Sequence, residues 1–116
     1  MGIWAVGFGG ALGTGLRLWL SLLAAQHLPA HAYLATLLAN ILGAALIGYL
    51  ATRPLSASAR AFLMTGFCGG FTTFSLFSLE IVTLLERSVV LALAYGSASL
   101  VLWMGAVWAG WRLGQA

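Results

Sequence analysis

Between Gly66 and Ser78 the chain reads GFCGGFTTFSLFS, a cluster of glycines, hydroxyls and phenylalanines inside an apolar run. The pair Gly69 and Gly70 and the β-branched pair Thr72 and Thr73 both weaken a helix. A break there would free backbone amides and carbonyls, and free carbonyls suit a cation such as Na⁺. Phe74 and Phe77 are three apart and share a face if the helix resumes. A phenyl ring has an electropositive edge. Two edges turned inward would make a weak anion site without a formal charge, the plain alternative being core packing.

The remaining polar groups are few. Asn40 is the sole asparagine. In mid-span it either joins two helices or donates its NH₂ to a passing anion. Arg17 lies two-thirds along the first apolar run, where it snorkels to the interface or faces a cavity that would concentrate anions. Glu80 could relay protons, bind a cation or pack against hydroxyls, and the last has a slight advantage. Tyr95 and Ser99 are four apart and present hydroxyls on one face, to an anion or to a neighbouring helix. Cys68 reads as a small buried apolar residue. His27 and His31 are separated by Pro29, which argues against a regular helix and a metal site between them.

Elements must hold these groups. The chain has 116 residues, five of them arginine, none lysine, two glutamate; 62% are hydrophobic. Mean hydropathy is +1.04. A soluble domain of this length would carry about 29 charged residues. An ordinary soluble domain, a disordered chain and a disulfide scaffold are therefore excluded, and an integral membrane protein remains. The arginines are scattered, which argues against a nucleic-acid partner. Breaks in the apolar pattern predict an all-α protein with four transmembrane helices over about 2–25, 32–51, 61–85 and 89–111, the third broken in mid-membrane. One transmembrane domain over 1–116 follows, with no soluble domain left over, and the first run lacks the basic start of a cleaved signal. Pro54 should end the second helix and Ser56 or Ser58 cap the third. Glu86 to Ser88 should form a tight turn.

Fifteen glycines are too many for lipid-facing surfaces alone. Gly9 with Gly13, Gly66 with Gly70, and Ala44 with Gly48 have the spacing that lets helix backbones approach. Trp4, Trp19, Trp103, Trp108 and Trp111 suit interfacial anchoring. Arg53, Arg60 and Arg112 would lie on one side and Arg87 on the other. So weak a bias permits insertion both ways, and with it an antiparallel dimer.

The stretch from Gly66 to Glu80, GFCGGFTTFSLFSLE, together with Gly9-Gly10-x-x-Gly13-x-x-x-Arg17 and Thr36-x-x-x-Asn40-x-x-Gly43, resembles the Fluc family of fluoride channels, also called CrcB proteins. The resemblance covers essentially the whole chain. It implies a dual-topology antiparallel homodimer in the plasma (inner) membrane of a prokaryote, with two pores that passively export fluoride and relieve its toxicity. It implies a structural Na⁺ at the dimer centre, held by the backbone carbonyls of Gly69 and Thr72. It assigns the pore to Asn40, Phe74, Phe77, Tyr95 and Ser99, the vestibule to Arg17, and polar support to Thr73, Ser75 and Glu80. Three positions depart from the family pattern: Ala35 stands for a common glycine, Leu76 for a common threonine, and Trp103 where the hydroxyl track on the fourth helix usually continues. No enzymatic activity is implied. The rivals are a small multidrug-type transporter, disfavoured because the first helix carries Arg17 and no carboxylate, and a non-transporting assembly subunit, which would not require the polar and aromatic break.

Overall fold

The computed structural model describes residues 2–116, and all their regular structure is helical. Helix α1 is Gly2–His27, followed by a 3₁₀ turn at Pro29–His31 and α2 at Leu34–Leu50. Helix α3 covers residues 57–71 and contains a π-helical stretch, Ala61–Cys68. Helix α4 is Ser75–Arg87 and α5 is Val89–Gln115. Three stretches are long and apolar enough to cross a bilayer: Gly2–His27, Ala57–Arg87 (α3 with α4) and Val89–Gln115. Helix α2 is shorter, with 17 residues.

Local chemistry sets the helix ends. Helix α2 stops ahead of Pro54, which could not donate to a continuing ladder. Ser56 is extended, and its Oγ accepts the Ala59 amide at 3.1 Å, opening α3. The turn expected from Glu86 to Ser88 is reduced to Ser88 alone, because Glu86 and Arg87 complete the last turn of α4. Ser88 is extended (φ −165°, ψ 122°), and its Oγ accepts the Leu91 amide at 3.1 Å. One self-capping residue thus suffices to start α5.

Two seams hold the helices together. In the first, α1 lies along α3. A Cβ on Gly9 would strike the Phe62 carbonyl oxygen, one on Gly13 that of Phe67, and one on Gly70 that of Gly10. In the second, α2 lies along α5, with Gly48 against the Val107 carbonyl and Gly110 against that of Ala45. No glycine among the described residues has positive φ. These glycines therefore permit close approach and do not relieve the backbone. Backbones this near gain van der Waals contact that lipid cannot replace. The glycine pairs expected at 9/13 and 66/70 lie in the first seam, and Gly48 of the pair expected at 44/48 lies in the second; Gly110 and Gly114, which abuts Thr52, belong to the second seam and were not expected.

An aromatic and aliphatic core of Phe77, Leu84, Ala92 and Tyr95 sits between α4 and α5. Large apolar side chains elsewhere face outward, among them Ile3, Val90 and Met104, as lipid or partner contact requires. Arg53 donates to the Gly114 carbonyl at 3.3 Å at one end of the bundle, and Arg87 to the Ala30 carbonyl at 3.3 Å at the other.

Candidate functional site

The long apolar segment after Ser56 is interrupted at residues 72–74. Thr72 is extended, with φ −89° and ψ 157°. The interruption falls after the glycine pair: Gly69 is helical, and Gly69–Phe71 is the last turn of α3. The threonines, more than the glycines, make the break. Thr72 sends both its amide (3.0 Å) and its hydroxyl (2.8 Å) to the Cys68 carbonyl, which closes the turn locally. Gly70 instead lets α3 approach α1. The π-helical stretch before the break was not foreseen; such irregularities often accompany functional sites.

Asn40, buried at 5% exposure, splints the break. Its Oδ1 accepts the Thr73 amide at 2.8 Å and its Nδ2 donates to the Thr73 carbonyl at 3.0 Å. Without it both backbone groups would be orphaned, at about 1–3 kcal/mol each. Of the two roles open to Asn40, joining helices is present in the subunit, and one N–H remains over, because an amide NH₂ carries two. Thr73 and Ser75 serve the same junction: Thr73 Oγ1 accepts the Leu76 amide at 3.1 Å and lies 3.3 Å from Ser75 Oγ.

Glu80 ties three helices. Its Oε2 accepts the Thr36 hydroxyl at 2.8 Å, and its Oε1 accepts the Tyr95 hydroxyl at 2.8 Å. Of the three roles open to it, packing against hydroxyls matches these contacts. Tyr95 therefore directs its proton at Glu80, with the Tyr33 carbonyl oxygen 3.3 Å away.

The aromatic residues form a column. Centroids of Tyr33 and Tyr95 are 4.9 Å apart, those of Tyr95 and Phe77 5.4 Å, and those of Phe77 and Trp103 4.6 Å. Phe74 joins it 5.5 Å from Phe77. The two phenylalanines differ sharply, Phe77 being 6% exposed and Phe74 66%. Only Phe77 is core; Phe74 contributes little to packing within the subunit. Below Tyr95 on α5, Ser99 Oγ and Trp103 Nε1 are buried, and among the described residues neither has a hydrogen-bond partner.

Arg17 is half-buried and donates through Nε to the Gly70 carbonyl at 3.2 Å, beside the Thr14 hydroxyl at 3.3 Å. The negative end of α3 attracts the guanidinium, and among the described residues no carboxylate pairs with it. Gly70 thereby loses its free carbonyl. Among the described residues no donor reaches the carbonyls of Gly69 or Thr72. Gly69 is exposed, with open space where a side chain would stand. The Gly69 oxygen, on the last turn of α3, and the Thr72 oxygen, just past it, are uncommitted backbone acceptors of the kind a hard monovalent cation takes. An open cavity of about 540 Å³ runs beside them, lined among others by Asn40, Thr73, Phe74 and Trp103.

The model of the CrcB-like protein, Camphor Resistance (CrcB) family matches residues 4–111. The fluoride-specific ion channel FluC of Pseudomonas putida is 46% identical over 115 residues, covering 94% of this chain and 93% of the relative. FluC of Stutzerimonas stutzeri is 43% identical over 117 residues, covering 96% and 94%. FluC of Rhizobium meliloti is 45% identical over 118 residues, covering 96% and 94%.

Proposed function

The chain belongs to the CrcB-like family, and we propose that it is a fluoride-specific ion channel of a prokaryotic inner membrane. The observation that carries this reading is the meeting of Asn40, Phe74 and Phe77 at the interruption between α3 and α4. Fluoride is small and strongly hydrated, so a pore must replace its lost water with donors. The free N–H of Asn40, the ring edges of Phe74 and Phe77 and the unpartnered Ser99 hydroxyl are neutral donors of that kind. None carries full charge, so none would hold the ion too tightly to release it. Tyr95 lines the path and yields its proton to an anion only by leaving Glu80. Arg17, with guanidinium N–H groups to spare, gathers anions at the mouth. Thr73, Ser75 and Glu80 hold the junction in shape.

The working unit is a homodimer of antiparallel copies in the lipid bilayer, each copy crossing four times as one domain, with two pores per dimer. The free Gly69 and Thr72 carbonyls support a Na⁺ site, where the ion would supply fixed positive charge and crosslink unwound backbone. The chain acts as a pore and not as an enzyme. Neutral HF crosses membranes and ionises in a less acidic cytoplasm. Fluoride then leaves through the channel down its gradient, assisted by the negative-inside potential.

Purified protein in liposomes loaded with KF, with valinomycin to relieve charge, tests the proposal. A channel of this kind releases fluoride rapidly and leaves chloride inside. Folded protein that releases neither would overturn the reading.

A further inference from the structure

We propose that the indole N–H of Trp103 is an anion donor that carries the polar face of α5 one turn beyond Ser99; this rests on the fluoride-channel reading of the same site. Tyr95, Ser99 and Trp103 follow one another at four-residue spacing, so they share one face of α5. Tyr95 has its hydrogen bond to Glu80. The other two are different: Ser99 Oγ and Trp103 Nε1 are buried, and among the described residues both lack a partner. A buried tryptophan N–H ordinarily finds an acceptor. Two orphans on successive turns of one helix point to an acceptor that is not part of the subunit.

The surroundings identify its chemistry. Trp103 packs at 71° against Phe77, and it lines the same cavity as Asn40, Thr73 and Phe74. Those neighbours offer an amide NH₂ and ring edges, and no carboxylate is among the residues that line the cavity. A small, dehydrated anion moving along this face would satisfy the Trp103 N–H and suits the donors around it. An indole N–H donates and cannot accept, whereas a hydroxyl does both. At this turn, therefore, the indole edge offers an anion a hydrogen bond and offers a cation no lone pair. The ring is also held in place by Phe77, so the donor is fixed before the ion arrives.

The test combines flux with a local readout. Trp103→Phe keeps an aromatic ring against Phe77 and removes only the N–H. Fluoride efflux from liposomes should fall about tenfold or more, the loss of one hydrogen bond to an ion. Trp103→Ser, which restores a hydroxyl donor at that turn, should recover part of the flux. In the wild-type dimer, with indole nitrogens labelled and the Trp103 signal assigned from its absence in Trp103→Phe, added fluoride should shift that ¹H–¹⁵N signal and added chloride should not. A wild-type rate in Trp103→Phe together with a signal indifferent to fluoride would overturn the proposal. Wild-type protein that passes no fluoride would instead remove the channel reading, and the indole signal would still decide whether Trp103 meets the anion.

Discussion

The seam between α2 and α5 and the junction between α3 and α4 solve opposite problems. In the seam, Gly48 and Gly110 bring carbonyls and Cα atoms together and no polar side chain is needed between the two glycines and their opposing carbonyls. At the junction the ladder is interrupted, and Asn40, Thr72 and Thr73 must supply what the helix no longer does. The difference teaches where polar residues are worth their cost in a membrane. Continuous helices satisfy their own backbone and need only shape. A broken one needs side-chain partners, and the backbone groups they leave unpaired become available to ions.

Substitutions should separate the two regions. The largest effect falls on the seam: Gly110→Leu would drive a side chain into the Ala45 carbonyl, and a cost of about 3 kcal/mol or more is expected. Thermal unfolding followed by gel filtration should find little intact protein. At the junction, Asn40→Ala orphans the Thr73 amide and carbonyl and should cost about 2–4 kcal/mol. That is enough to lower the midpoint of unfolding while some folded protein survives for flux measurement. Glu80→Gln turns one acceptor into a donor opposite a hydroxyl and should cost about 1–2 kcal/mol. Gly105→Leu, at a glycine with open space around it, should change stability by less than about 0.5 kcal/mol. If Gly105→Leu were as harmful as Gly110→Leu, close approach in the α2–α5 seam would not be the reason for its glycines.

What was legible in the sequence was local or periodic. The Ser56 cap, the stop before Pro54 and the glycine pairs at 9/13 and 66/70 each depend on a residue and its near neighbours. The break was legible as a weak point, but its place was not. The glycine pair and the threonine pair looked equally weak, yet Gly70 is held helical against α1, and the ladder stops at Thr73, whose amide goes to Asn40. The choice between the two roles of Asn40 depended on a contact with Thr73, 33 residues away, that no spacing reveals. The π-helical stretch left no mark in composition, and Trp103 looked like an interfacial anchor until its ring was found against Phe77. Gly110 and Gly114, also four apart, carried a signal that could have been read.

The contrast between a seam that holds and a junction proposed to conduct is tested most directly at Phe74. Its ring is 66% exposed, so Phe74→Leu removes almost no packing from the subunit. Fluoride efflux from liposomes, measured per folded protein, should fall at least about tenfold while the subunit unfolds at its usual temperature. Efflux at the wild-type rate would contradict a fluoride path at the interruption between α3 and α4.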